Sequence, residues 1–383
     1  MLSAFSALSA LSNIETIARC TAATERECAT ELGRQVAGPL GAGVARVANK
    51  LEAYLNTAAG AAVFDQLWET NRAALPEIAA ELEGWAAGAG IELRDLKAAA
   101  LSTELAWFAR KAGLNVTAGK SCSDYHALSP TLQAWVHNED GLSSDVDETF
   151  MIDANVSGVR RIAFVYAHDA GLGGWAWGLN SHGVAQSVNA LFPANMTVGI
   201  ATAFHARHVA GATSLDDAIR RACSLSPAGG QHLNVGSIHA SAQAMIEVSP
   251  EGCDVRTLSP AAVGDASTVG YHANLYESRK LKGLDADPLA PSSVHRMRRM
   301  AEFAPPTSTG QLEQIISDTK DRAYPIHRTP RPTDEIETLN SVLFDVAGRT
   351  ISVWGTEAPA AADKPALRID WRSMEMHAGA VEE

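Results

Sequence analysis

Between Ala23 and Arg110 the apolar positions recur at helical spacing, with charges placed to leave one apolar face, as from Leu75 through Ile78 and Leu82 to Trp85. Pro76 suits a first helical turn, and Gly88 and Gly90 suit a helix end. Near Gly119 the texture changes. Beyond it come short runs rich in β-branched and aromatic residues at 133–136, 149–152, 161–166 and 183–188, separated by Gly, Asn and Asp, which predict antiparallel strands joined by tight turns. A helix is predicted over 214–223, with Ser214 as N-cap and Asp216 and Asp217 in its first turn. Strands resume at 232–235, 244–248 and 254–258, and two helical stretches, 292–303 and 310–319, precede a last strand pair at 341–346 and 350–354. Ala347, Gly348 and Arg349 make the hairpin turn between them, and the Pro- and Ala-rich tail after Glu357 reads as a surface extension. Helices first, then a long antiparallel section with helices inserted, predict an α+β fold or a layered αββα sandwich.

Composition narrows the function. With 383 residues, 46% of them hydrophobic, the chain can bury a sizeable core as one large domain. A net charge of −13 repels phosphate backbones and anionic membrane surfaces, so neither nucleic acid nor membrane is an expected partner. No run of about 18 apolar residues suggests a bilayer span. The five cysteines (Cys20, Cys28, Cys122, Cys223, Cys253) are scattered and odd in number, which points to reduced thiols and a cytoplasmic location. The opening segment has no basic residue ahead of its apolar run and is a poor signal peptide.

At the junction of the two textures, a small-residue run delivers Cys122 to the start of a predicted strand, where it is a candidate nucleophile. Asp140 closes the segment His137-Asn-Glu-Asp140 on the next strand, a distance that a hairpin can span, so a carboxylate there could orient an amine. His205 and His208 stand one helical turn apart, but no third ligand follows at a recognisable spacing, and they read as surface histidines. Cys122 and His126 read as two faces of one strand, and Gly171 to Gly174 as a turn lacking dinucleotide-loop spacing.

Taken in order, Cys122-Ser-Asp-Tyr125, His137-Asn-Glu-Asp140, Gly178-Leu-Asn-Ser-His-Gly183, Ser187-Val-Asn-Ala-Leu-Phe-Pro193 and His272-Ala-Asn274 resemble the acyl-coenzyme A:6-aminopenicillanic acid acyltransferase-like N-terminal nucleophile hydrolases. Within that family they are nearest to the β-alanyl amine hydrolases. The resemblance runs from about Arg26 to Trp354 and implies a four-layer αββα sandwich of two antiparallel sheets, preceded by a helical N-terminal segment. It also implies a precursor that cuts itself between Ser121 and Cys122, leaving residues 1–121 and 122–383 associated as one domain. Cys122 would then be the nucleophile, with its own freed α-amino group as general base. Asp140 would orient that amine, Asn274 would donate to the oxyanion, and Arg328 would be the C-terminal arginine. Tyr125, His137, Asn138, Glu139 and Asn189 would contact the substrate. Family members usually carry glycine before the cysteine, so Ser121 implies slower or conditional cleavage. The activity implied is hydrolysis of small N-acyl amines such as β-alanyl conjugates, without cofactor or metal. Acyl transfer from acyl-coenzyme A is the alternative, and an uncut non-catalytic homologue a third reading. A homo-oligomer is compatible with all three.

Overall fold

Thr24 opens the first helix by accepting from the Glu27 amide while the Glu27 carboxylate accepts from the Thr24 amide, a reciprocal cap that satisfies two otherwise unpaired donors. The computed structural model describes residues 16–116, 121–286, 290–331, 335–362 and 364–378. The opening segment 1–15, the boundary at Gly119 and the last five residues lie outside them. Six helices fill most of the N-terminal part: α1 (Glu25–Gln35), α2 (Ala37–Leu55), α3 (Ala58–Ala74), α4 (Pro76–Ala89), α5 (Leu93–Ala100) and α6 (Ser102–Lys111). As the sequence predicts, Pro76 begins α4 and Gly90 ends it with a left-handed backbone, φ 68°.

Before them, however, comes a strand, β1 (Ile17–Ala22), so the N-terminal segment is not purely helical. β1 pairs in parallel with β4 (Thr149–Val156) at the edge of an eight-stranded sheet. That sheet continues through β5 (Val159–Tyr166), β6 (Trp177–Asn180), β7 (Val184–Leu191), β8 (Gly230–Ser237), β9 (Gln243–Ser249) and β10 (Gly252–Leu258), all antiparallel. The second sheet is antiparallel throughout. It orders β11 (Thr268–His272), β2 (Ser121–Leu128), β3 (Gln133–Leu142), β12 (Ile336–Asp345), β13 (Thr350–Trp354), β14 (Leu367–Asp370) and β15 (Met376–Ala378). The last two strands correct the surface-extension reading of the tail: Leu367, Ile369 and Trp371 are buried and anchor it.

α1, α7 (Thr202–Ala210) and α8 (Leu215–Ser224) cover the outer face of the first sheet, while α9 (Ala290–Ala301) and α10 (Thr309–Ile316) cover that of the second. The result is the four-layer arrangement expected, one β1–β4 pairing aside. Between the sheets Trp135 stacks on Phe344 at 4.2 Å and donates from Nε1 to Ser187 Oγ at 3.1 Å. Gly236 faces that indole so closely that a Cβ would lie 2.5 Å from it, which requires glycine there.

The parts before and after Ser121 are joined by a buried ionic cross. Arg161 and Arg207 each reach both Glu25 and Glu81, with Arg161 to Glu81 at 2.9 Å and Arg207 to Glu81 at 2.8 Å. Both acids precede Ser121 and both arginines follow it. Removing one buried charge of such a set typically costs about 3–5 kcal/mol because the partners stay desolvated. Glu81→Gln in a Cys122→Ala background is therefore expected to lower unfolding stability by about 3 kcal/mol, read from the urea midpoint. An unchanged midpoint would remove the cross from the account of how the two parts adhere.

Cysteine pairing is a further correction. Cys20 is bonded to Cys28, and Cys223 to Cys253, with Cα separations of 5.5 and 5.4 Å, so Cys122 alone is a free thiol. The reduced-thiol reading falls, and with it the ground for a cytoplasmic location, since such bonds persist in oxidising compartments. Each bond lies within one part, so neither ties the segment before Ser121 to that after it. No helix among the described residues is long and apolar enough to cross a membrane.

Candidate active site

β2 and β3 align in antiparallel register, so that Ser121 lies opposite Asp140 and Cys122 opposite Glu139. Side chains alternate across a strand, and the two pairs therefore face opposite ways. Cys122 and Glu139 look into the space between the sheets; Ser121 and Asp140 look toward α9.

The sulfur is buried, and Sγ lies 3.8 Å from Glu139 Oε1. Tyr166 donates its hydroxyl to that same oxygen at 2.8 Å. Behind Glu139 stands His137, whose Nε2 donates to Glu139 Oε2 at 3.0 Å and whose Nδ1 donates to Asp124 Oδ2 at 2.9 Å. Asp124 in turn accepts from Ser187 at 2.6 Å and from Asn189 at 2.7 Å. Burial opposes charge on His137, but Asp124 and Glu139 outweigh it and push its pKa up to about 10. Burial above all, then Glu139, Asp140 and Asp124, raise the Cys122 thiol well above its usual value, so in the uncut chain the sulfur stays protonated.

The backbone of Cys122 is gripped on both sides. Its amide donates to Asn274 Oδ1 at 3.1 Å, and its carbonyl accepts from Arg296 Nη1. Arg296 also donates to Ser123 Oγ at 2.9 Å and to Asn274 Oδ1 at 2.8 Å. Asn274 Nδ2 spends one hydrogen on the Ala190 carbonyl at 2.9 Å, and an amide has a second to give. Ser121 Oγ accepts from Arg328 Nη1 at 2.9 Å and lies 3.4 Å from Asn274 Oδ1. Its φ lies outside the left-handed region, so this backbone does not call on glycine's conformational freedom at the position.

Asp140 accepts from Thr338 at 2.7 Å through Oδ1, while Oδ2 is buried without a hydrogen-bond partner among the described residues. Burial lifts its pKa to about 7 although Arg328 and Arg296 pull the other way. A carboxyl whose folded value exceeds its unfolded one, about 3.9, stabilises the fold below that lower value and loses the contribution as pH rises through 7. In a Cys122→Ala background, Asp140→Asn is therefore expected to gain on its parent by about 2 kcal/mol between pH 5 and pH 8, read from paired urea midpoints. A difference that stays constant with pH would show that Asp140 is not held protonated in the uncut chain.

The structure thus gathers Ser121, Cys122, His137, Glu139, Asp140, Asn274 and Arg328 around one peptide bond, with Asn189 behind Asp124. Two expected contacts fall away. Tyr125 points to the helix side, stacked on Tyr271 at 5.6 Å among Ile315, Ile316 and Met300. Asn138 shares that side and is spent on the carbonyls of Ile316 and Ile326, at 2.9 and 3.0 Å. His126 shares Cys122's face but is four residues along the strand, roughly 13 Å, and bonds Gln243 and Asn234. His205 is buried, not superficial, and bonds the Ala222 carbonyl at 3.0 Å. Arg296 and Tyr166 are site residues that lie outside the ordered segments, and nothing local distinguishes an arginine in a basic helix from a solvated one; Asp124 lies within Cys122–Tyr125.

Two clusters bring three donor atoms together: Cys122, His137 and Glu139, and Asp145, Glu148 and His168. In the first, both ring nitrogens of His137 are engaged by Asp124 and Glu139. In the second, the Arg46 guanidinium already occupies Asp145 and Glu148. Beside the site lies a cleft of about 90 Å³, partly open to solvent and smaller than the usual small-molecule pocket. Val47, Leu51 and Ala106 from before Ser121 form one wall, and Trp175, Ala190 and Phe192 from after it another. Ala190 is the residue whose carbonyl holds Asn274.

Comparison with known proteins adds a family. The chain is 23% identical over 315 residues to the beta-alanyl-dopamine/carcinine hydrolase of Drosophila melanogaster, covering 77% of this chain and 80% of that one. Among solved structures it is similar to a mutant conjugated bile acid hydrolase from Clostridium perfringens (TM-score 0.37, 13% identity, 68% of this chain and 97% of that one) and to penicillin V acylase from Agrobacterium tumefaciens (0.30, 9%, 64% and 91%). A family model, acyl-coenzyme A:6-aminopenicillanic acid acyl-transferase, matches residues 129–357, beginning just after Cys122 and spanning Asp140, Asn274 and Arg328. That match takes in more than half of the sequence, and the protein belongs to the acyl-coenzyme A:6-aminopenicillanic acid acyl-transferase family.

Proposed function

We propose that the protein is a self-processing cysteine amide hydrolase that cleaves small N-acyl amines, with β-alanyl conjugates of biogenic amines as the first substrates to try. One observation carries the reading: a buried free cysteine at the start of a strand, with its amide nitrogen held by Asn274, its carbonyl by Arg296, and the preceding serine by Arg328. The amide and carbonyl of Cys122 and the side chain of Ser121 are thereby held beside the Ser121–Cys122 bond. Once that bond is cut, the Cys122 nitrogen becomes an α-amine with a reference pKa of about 7.7–8.0, able to accept the thiol proton near neutral pH. The unpartnered Oδ2 of Asp140, on the face that Ser121 occupies, is available to the new amine. The sulfur then bonds to the substrate carbonyl carbon, the C–N bond breaks, and the leaving amine takes the proton; water releases the acyl group from the thioester.

The curated relative's activity supports β-alanyl amines as substrates, and the cleft walls of Val47, Leu51, Trp175 and Phe192 suit an aromatic or aliphatic amine. Incubating the purified protein with carcinine and with N-β-alanyl-dopamine should release free β-alanine. Inactivity on these and on a broad panel of small amides would remove the hydrolase reading. The family's own name favours acyl transfer as the second reading, and an amide product formed from acyl-coenzyme A and an amine would favour it over hydrolysis.

A further inference from the structure

The freed α-amine can serve as base only after cleavage, so cleavage itself needs another. Resting on the self-processing reading above, we propose that Glu139 is the catalytic carboxylate of maturation, taking the thiol proton of Cys122 as the sulfur attacks the Ser121 carbonyl. Three observations point to it. Glu139 Oε1 lies 3.8 Å from Sγ, within the range of a hydrogen bond to sulfur, and the register places the two side chains opposite each other on one face. Of the other acids near the sulfur, Asp140 faces the opposite side of β3 with Oδ1 held by Thr338, and Asp124 is engaged with His137, Ser187 and Asn189; His126 on the sulfur's own face is engaged with Gln243 and Asn234. Glu139 is also held in place: Tyr166 donates to Oε1 at 2.8 Å and His137 to Oε2 at 3.0 Å, with Asp124 behind His137 at 2.9 Å. The imidazole of His137, bonded to both carboxylates, keeps Glu139 aimed at the sulfur.

The step balances without any outside redox partner. The S–H proton passes to Oε1 and the sulfur lone pair adds to the Ser121 carbonyl carbon. Collapse breaks the bond to the Cys122 nitrogen, which recovers the proton from the Glu139 carboxyl and becomes the free amine. The thioester left between Ser121 and Cys122 is then hydrolysed by water, returning the thiol. Glu139 is thus assigned to proton transfer in maturation and not to contact with substrate.

The test follows cleavage of the full-length chain by denaturing gel and intact mass from pH 5.5 to 9, for wild type, Glu139→Gln and Glu139→Asp. Glu139→Gln is expected to slow cleavage at pH 7 by about 10²–10⁴-fold, the usual contribution of a positioned general base. Its rate should then rise about tenfold per pH unit, because hydroxide must make the thiolate, while the wild-type rate changes little. Glu139→Asp keeps the charge against His137 but draws the oxygen back from sulfur, so it should cleave at an intermediate rate with the wild-type pH profile; it serves also if the glutamine variant does not fold. A wild type that never cleaves at Ser121–Cys122 overturns the self-processing reading. A wild type that cleaves, alongside Glu139→Gln or Glu139→Asp at the same rate with the same pH profile, overturns the assignment of Glu139 alone.

Discussion

Cys122→Ala is expected to yield one band of the full 383-residue chain on a denaturing gel and to lose amide hydrolysis by about 10⁴-fold or more. Loss of a covalent nucleophile removes the intermediate itself and not one interaction within it, which explains the size of the effect. Wild type should give two bands meeting at Ser121–Cys122. Because Cys20–Cys28 lies wholly before that bond and Cys223–Cys253 wholly after it, the two bands should separate whether or not reductant is present. The alanine variant should keep its fold, since Sγ makes a single long contact to Glu139 and the backbone grips of Asn274 and Arg296 do not involve it. A Cys122→Ala protein that hydrolyses amides at the wild-type rate would refute the assignment. A wild type that stays intact would leave the third reading, a non-catalytic homologue.

Asn274→Ala is expected to lower kcat by about 10²–10³-fold, the range found for removal of one preorganised donor to a tetrahedral oxyanion, or roughly 3–4 kcal/mol. Its Oδ1 fixes the nucleophile's nitrogen at 3.1 Å, and Nδ2 is oriented by the Ala190 carbonyl at 2.9 Å with one hydrogen left to give. Arg296 adds a donor to Oδ1 at 2.8 Å, so the amide cannot swing freely. Asn274→Asp keeps the shape and loses the donor; it should fail as badly as alanine, because a carboxylate would repel the developing negative charge. Steady-state kinetics on fully cleaved protein would show the loss in kcat with KM changed far less. A loss confined to KM would make Asn274 a binding residue.

Much of this was legible in the chain, for identifiable reasons. The amphipathic period around Leu75–Trp85, the Ser214 cap and the final hairpin are local signals, and α4, α8 and the β12–β13 pair form where those signals lie. Cys122, Asp140 and Asn274 could be named from the ordered segments and Arg328 from its place before the final hairpin, and the fold brings them together. What sequence could not show depends on long-range pairing. The partners that hold β3 are of this kind: Asn138, Asp140 and Gly141 are residue types common in turns, and β3 runs through them to Leu142, with Asp140 on the strand as read from the sequence, because each polar side chain finds a partner there: Ser341 for Asn138, Tyr166 for Glu139 and Thr338 for Asp140. The two disulfides join residues 8 and 30 positions apart, and scattered spacing of that kind gives no pairing. Which face of β2 or β3 a residue occupies separates Glu139 from Asn138, and that depends on which sheet face meets α10 and which meets β7.

Cleavage-site mapping of active protein tests the scheme most directly. Intact mass and N-terminal sequencing of the fraction that hydrolyses amide should find the larger fragment beginning at Cys122 with an unblocked amine, and the smaller one ending at Ser121. Full activity in a preparation whose Ser121–Cys122 peptide is recovered unbroken would contradict it.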